Sequence, residues 1–218
     1  TGEVIKTTED SYTVAEISSF QLETVHEFHP VVSAILNITP DHLNRHHTME
    51  CYSHTKERIA KNQNKSDVCV LNMEDEELYR FGKECSASVV WFSSRRKPCK
   101  GAYLDGNNIR YTDGVTDKIM LNVHDMNLLG THNYENVCAA IAMTKAVGIP
   151  DDIIIEQIKN FKAVEHRIEY VATKNGVWYY NDSKGTNPEA SVKAIEAMVR
   201  PTTVSYTHLR AHETRHDL

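Results

Sequence analysis

Short apolar runs alternate with stretches of helical period through the first half of the chain. Tyr12–Ala15, Ser33–Ile38, Val68–Asn72 and Ser88–Phe92 read as strands, because a short continuous apolar run bounded by polar residues suits a strand covered on both faces. Helical patterns at Met49–Asn62 and Glu74–Lys83 fall between them. Such alternation predicts parallel strands joined by crossover helices. Between Ala102 and Asn122 the pattern changes. Turn signals at Asp105-Gly106-Asn107-Asn108 and Thr112-Asp113-Gly114 separate short alternating runs and predict a small antiparallel insertion. Asn133–Val147 is an alanine-rich helix stopped by Gly148 and Pro150, and Asp151–Phe161 is a shorter helix. Past a boundary near Ala163–Glu165, Ile168–Thr173 and Val177–Asn181 pair about the Lys174-Asn175-Gly176 turn. A helix over Asn187–Val199 then opens with Pro188 in its first turn. The class expected is α/β, a mostly parallel sheet flanked by helices, followed by the start of a second α/β domain. That second part is too short to bury a core of its own, so the chain is expected to stop inside a domain.

Composition adds mainly exclusions. The chain has 218 residues, 40% hydrophobic and 25% charged, with a net charge of −6. That acidity argues against a general nucleic-acid binder. No apolar run approaches a membrane span, and the polar start, Thr1 to Asp10, does not resemble a signal peptide. Cys51, Cys69, Cys85, Cys99 and Cys138 are odd in number and form no C-x-x-C pair, which fits reduced thiols in a cytoplasmic protein. Cys69 and Cys138 sit in apolar runs and are expected to be buried packing residues.

Candidate chemistry collects at strand ends and helix starts. Ala15–Glu23 puts the carboxylate of Glu16, then Ser18, Ser19 and Gln21, just after an expected strand. The carboxyl edge of an α/β sheet is where ligands bind, and such oxygens suit hydrated Mg²⁺ and phosphate. The plainer alternative is a strand end followed by a polar loop. Thr39–Asn44 follows the next strand; His42 there could bind a metal or orient a phosphate, or Asp41 could cap a helix beside a solvated histidine. Lys56 lies on the Met49 helix and by itself reads as a surface charge. In Gly130–Asn136, Asn133 and Asn136 stand one helical turn apart and could read a purine edge, although Asn133 could equally be an N-cap. His166–Glu169 places Arg167 at a strand start. Asn181–Asn187 joins a strand end to a helix N-terminus through Asp182, Lys184 and Thr186, a set suited to an anion or to an ordinary capped loop.

Taken together, AEISSFQLE (15–23), ILNITPDHLNRH (35–46), TKERIAKNQ (55–63), NLLGTHNYENVCAAIA (127–142), HRIEYV (166–171) and NDSKGTNPEAS (181–191) resemble the Mur ligase family in order and spacing. The first segment is most similar to the branch that adds D-glutamate. The resemblance implies ATP-driven amide formation between UDP-N-acetylmuramoyl-L-alanine and D-glutamate through an acyl phosphate, in the cytoplasm, by a monomer with no nucleic-acid or membrane partner. It implies two Mg²⁺ ions held by Glu16, His42 and Lys56, the lysine being carbamylated by CO₂. Those three would form the catalytic centre. Ser18 and Gln21 would contact the UDP-sugar, and Lys184 and Thr186 the substrates at the domain junction. Asn133 and Asn136 would hold adenine, Arg167 the phosphates and Asp182 the ribose. Residues 1–164 would form the central ATP-binding domain and 165–203 the start of the C-terminal ligase domain. Another Mur ligase, a folylpolyglutamate synthase-like ligase and an inert truncated fragment remain open readings.

Departures from the family are visible. The glycine-rich phosphate loop ending Gly-Lys-Thr or Gly-Lys-Ser does not occur in these residues; its expected place is just before Thr1. Asn44 stands where an aspartate is common. Residues 204–218, VSYTHLRAHETRHDL, read as a non-native tail in which His208, His212 and His216 would imitate a metal stripe on a helix.

Overall fold

The computed structural model describes residues 8, 11–162, 164–186 and 188–205. Ala163 at the expected boundary, Asn187, and nearly all of the expected non-native tail with its three histidines lie outside the described residues. The chain forms two compact units, residues 1–126 with 134–160, and residues 127–133 with 161–218.

The first unit holds a six-stranded sheet in sequential order: β1 (Val32–Ile35), β2 (Val68–Asn72), β3 (Ser88–Ser93), β4 (Gly101–Asp105), β5 (Asn108–Thr112) and β6 (Asp117–Asn122). β1 to β4 are parallel, and β5 and β6 continue antiparallel. The expected antiparallel strands are therefore real but extend the main sheet. Gly106 adopts φ 58° in the turn between β4 and β5, and Gly114 adopts φ 98° in the next turn. Each turn reverses the chain beside the strand it leaves, so β5 adds to β4 and β6 to β5 and no separate layer forms.

Helix α3 (Met49–Glu57), continued by a short 3₁₀ turn at Arg58–Ala60, and helix α4 (Glu76–Glu84) supply the first crossovers. Ile35, Cys69 and Leu71 point to one face of the sheet and pack with Tyr52, Ala60, Leu78 and Ala87. Each such aliphatic side chain contributes on the order of 1.5–3 kcal/mol when removed from water. Trp91 also packs here, and Gly82 makes room for it: a Cβ on Gly82 would lie 2.4 Å from the indole. β2 is buried almost throughout, as its uninterrupted apolar sequence predicts. Cys69 and Cys138 are both buried. The shorter helices are α1 (Ser19–Leu22) and α2 (Leu43–His46), with α5 (Thr131–Ala146) and α6 (Asp151–Asn160) after the sheet.

Tyr12–Ala15 corrects one expectation: it is not a strand. A strand exists only through its ladder, and this stretch pairs with no strand among the described residues. Val14 stays 94% exposed, and Tyr12 reaches the Val147 carbonyl only through its hydroxyl, at 3.3 Å.

The second unit contains the hairpin β7 (Glu169–Lys174) and β8 (Val177–Asn181), turning on Asn175 and Gly176 at positive φ, and helix α7 (Pro188–Glu196).

Two outcomes test this architecture. Gly101 opens β4 at φ +144°, and a Cβ there would sit 1.8 Å from the Trp91 carbonyl oxygen. Gly101→Ala should cost on the order of 3 kcal/mol or more, because the β3–β4 ladder must open. Gly106→Ala, with nothing within 4 Å of the new methyl, should cost only about 1 kcal/mol. Urea unfolding midpoints compare them. The second outcome concerns acid. Lys97, with Tyr103 and Arg110, hydrogen-bonds Asp117 and lowers its carboxyl from 3.8 to about 2. A carboxyl depressed by folding adds stability that is complete above its ordinary pKa and is lost as pH falls through the folded value. Asp117→Asn should therefore flatten the stability profile between about pH 4 and pH 2, read as urea midpoints across that range.

Candidate functional site

The site is built from the chain that leaves β1. Asn72 at the end of β2 donates to the Leu36 carbonyl at 3.0 Å. The Asp75 carboxylate accepts from the Ile38 amide at 2.7 Å and, as N-cap of α4, from the Leu78 amide at 3.1 Å. One carboxylate thus fixes both the helix that covers β2 and the loop that carries His42. His42 sits at the N-cap of α2 with φ 53°. Left-handed backbone at a non-glycine residue persists only where surroundings impose it. Asp41 accepts from the His42 amide at 2.8 Å and faces its imidazole at 3.4 Å. The expected cap by Asp41 is displaced by one residue: its carboxylate serves His42, and no side chain caps α2.

Ser18 and Gln21 form a reciprocal capping box around α1. The Ser18 hydroxyl accepts from the Gln21 amide, and Gln21 Oε1 accepts from the Ser18 amide at 2.8 Å and its hydroxyl at 2.9 Å. The segment is then tied to the 3₁₀ turn that continues α3 and to the residues just past it. Arg58 donates to the carbonyls of Leu22 and Val25 at 2.8 and 2.9 Å, and Asn62 donates to those of His26 and Phe28. Arg45 makes a two-point bond to Glu23, at 3.0 and 2.6 Å. That bond holds the Glu23 carboxyl below its usual range and raises the Arg45 guanidinium.

These ties bring three distant segments together. The Phe20 ring lies 4.8 Å from the His42 ring, centre to centre. Lys56 Nζ donates to the Asn37 carbonyl, just past β1, at 3.1 Å and stands over the Tyr52 ring at 5.0 Å. Lys56 is therefore half-buried and engaged at the carboxyl edge of the sheet. Glu16 is exposed, two residues before the Ser18 cap, and no hydrogen bond or ion pair joins it to His42 or Lys56. Among the described residues no three His, Cys, Asp or Glu side chains group to hold a metal ion.

Asn136, exposed on α5, neighbours Glu135, which accepts a short hydrogen bond from Ser94 just past β3. That bond anchors the first turns of α5 at the same strand edge, an arrangement nothing in the spacing foretold. Asn133 is not the N-cap that it could have been. The helix starts at Thr131, and Asn133 donates from its side chain to the Leu129 carbonyl at 2.6 Å.

In the second unit, Asp182 accepts from the Ile168 amide at 3.0 Å, and the Lys184 amide donates to the His166 carbonyl at 2.9 Å. These bonds hold His166 and Ile168 at φ 68° and 46° around an exposed Arg167. A β-branched residue in that region is a genuine outlier. Gly185 packs close beside it: a Cβ there would lie 2.5 Å from Asp182 Oδ2, and the carboxylate would have to shift. Lys184 and Thr186 are exposed on the same loop.

Sequence reasoning named the candidate residues and missed the side chains that hold their segments: Arg58, Asn62, Asp75, Ser94 and His46. Only the Ser18-x-x-Gln21 box and the Asp75 cap carried a local signal, in their spacing to the helix that follows.

Comparison with known proteins bears on the family. The Mur ligase middle domain matches residues 3–144. The chain is 82% identical to the UDP-N-acetylmuramoylalanine–D-glutamate ligase of Lachnospira eligens over 93% of its own length and 45% of that protein's. It is 54% identical to the ligase of the same name from Lachnoclostridium phytofermentans, over 92% of the chain and 44% of the relative. The chain thus spans less than half the length of the curated relatives it matches. A MurF crystal structure from Acinetobacter baumannii shares the fold with a TM-score of 0.61 at 17% identity, over 79% of this chain and 38% of that one. A domain match across most of the chain, on a sheet of matching architecture, means that this chain belongs to the Mur ligase family.

Proposed function

We propose that the chain contributes the ATP-binding core of a cytoplasmic, monomeric ligase that joins D-glutamate to UDP-N-acetylmuramoyl-L-alanine in peptidoglycan precursor synthesis. The observation that supports this reading is local: the Phe20 ring of the α1 turn lies against His42, and Lys56 bonds the Asn37 carbonyl just past β1. The name shared by the 82% and 54% identical relatives supports the choice of substrate.

In the reaction the substrate carboxylate attacks the γ-phosphorus of ATP and releases ADP, forming an acyl phosphate; the amine of D-glutamate then attacks the acyl carbon, gives up a proton and displaces inorganic phosphate. Such chemistry rests on positioning and on neutralising the charge that moves. Lys56 as an amine repels cations. As a carbamate it presents two oxygens, and its remaining N–H can keep the bond to the Asn37 carbonyl. Carbamate oxygens, the Glu16 carboxylate and the His42 imidazole then form a hard, mostly oxygen donor set that fits two hydrated Mg²⁺ ions. Bound there, Mg²⁺ supplies electrostatic stabilisation of the phosphoryl oxygens.

The residues of this chain do the rest. Ser18 and Gln21 orient the UDP-sugar, exchanging part of their capping box for substrate contacts. Asn133 and Asn136 hold adenine, Arg167 the phosphates and Asp182 the ribose. Lys184 and Thr186 bind the substrates. Residues 1–164 serve nucleotide binding and 165–203 begin the ligase domain, with 204–218 non-native. No helix among the described residues is long and apolar enough to cross a membrane.

The test is a chimera: the Lachnospira eligens ligase with its matching segment replaced by this chain. Phosphate release should require D-glutamate within a panel of D- and L-amino acids; equal stimulation by an L-amino acid would overturn the substrate. In the chimera, Lys56→Ala should lower kcat by about 10³-fold or more, on the scale of a lost electrostatic group. A short carboxylic acid should restore part of the rate, and wild-type turnover in the variant removes Lys56 from the mechanism. The 218 residues alone should show no ATP-dependent ligation, since their sequence does not contain the Gly-Lys-Thr or Gly-Lys-Ser loop that cradles the β- and γ-phosphates. Measurable ligation by the isolated chain would refute that.

A further inference from the structure

We infer that His46 is a positioning residue for the UDP-sugar segment, acting through Ser19 and Phe20 on Ser18 and Gln21; the inference rests on the ligase reading above. His46 ends α2 and is 5% exposed, unlike its neighbours His42 and His47. A buried imidazole needs partners for both nitrogens. Nε2 lies 3.0 Å from the hydroxyl of Ser19, itself buried at the first position of α1. Nδ1 faces Glu23 Oε1 at 3.7 Å, on the far end of the same helical turn. The carboxylate favours the proton on Nδ1, which leaves Nε2 to accept from Ser19.

The ring is also held on its faces. It stacks on Phe20 with centroids 5.7 Å apart and planes 7° from parallel, and meets Tyr52 at 5.2 Å. Tyr52 in turn carries Lys56 over its ring, and Phe20 touches His42. One imidazole therefore bonds the first residue of the α1 turn and faces the carboxylate at its end, and its ring contacts lead to the two other chain segments of the site. α1 is only four residues long, and a turn of that length does not hold its shape without tertiary support. The polar side chains that present themselves to substrate, Ser18 and Gln21, sit on that turn. Arg45 is the other charged group facing Glu23, and it lies on the solvent side. Its two-point bond fixes the carboxylate but cannot reach Ser19.

The variants His46→Phe and His46→Gln separate packing from hydrogen bonding. Phenylalanine keeps the stack and loses the Ser19 bond; glutamine keeps an acceptor near the Nε2 position. In the chimera, His46→Phe should raise KM for the nucleotide-sugar about 10-fold, the loss expected of a buried hydrogen bond of roughly 1.4 kcal/mol. KM for ATP should stay within about twofold, and His46→Gln should recover most of the loss. Equal KM in all three proteins overturns the proposal, as does a uniform fall in activity with a lowered melting temperature in both variants. If the unsubstituted chimera shows no D-glutamate-dependent turnover, the ligase reading fails separately. Hydrogen exchange then decides His46: the amides of 21–23 should exchange faster in His46→Phe than in wild type and His46→Gln, and equal exchange overturns it.

Discussion

Parallel pairing is the constraint on which the structure depends. Neighbouring parallel strands cannot be joined by a hairpin, so each must return to the starting edge through a crossover. In this chain the returns from β1 to β2 and from β2 to β3 run through α3 and α4. The loops that leave β1, β2 and β3 therefore emerge along one edge. Asn72 ends β2, Asp75 and Ser94 lie in the loops that follow, and each spends its side chain holding another segment there. The His42 loop is consequently the product of two neighbouring strand ends as much as of its own residues.

Helix α3 then converts that edge into a site. Its inner face contributes Tyr52 to the core, and the 3₁₀ turn and the residues just past it send Arg58 and Asn62 to carbonyls between residues 22 and 28. Those bonds fix a segment that has no sheet neighbour of its own among the described residues. Lys56 on the same helix reaches the end of β1. Helix, strand end and the α1 turn are thus locked by hydrogen bonds from side chains to backbone, which fix position more tightly than apolar contact alone. His46 closes this arrangement from beneath.

Much of this was legible from the pattern of residues. β2, β3 and both hairpins fall where the apolar runs and turn residues placed them, within a residue or two. The helices carry their own start signals, Thr48 and Asp75, and both side chains do cap. The exceptions share a cause. Tyr12–Ala15 has the composition of a strand but pairs with none among the described residues, and the antiparallel strands joined the main sheet because β4 offered a parallel edge to β3 and an antiparallel one to β5. Pairing is a property of neighbours, which local pattern does not encode.

The same division runs through the site. The amino-acid sequence by itself determined the chemical inventory: a carboxylate at 16, an imidazole at 42, an amine at 56, and the order of strands and helices that carries them. It also set the capping box at Ser18 and Gln21, since a cap is a contact between residues three apart. Only the tertiary structure decided which of four nearby histidine and arginine side chains was buried. His42, Arg45 and His47 remain exposed while His46 goes inside. The reason is geometric: burial depends on which side of a single helical turn meets Phe20, Ser19 and Tyr52, and those residues arrive from segments 27 positions before and six after. Contacts of that kind come from the crossover topology, so no local reading of the chain could supply them.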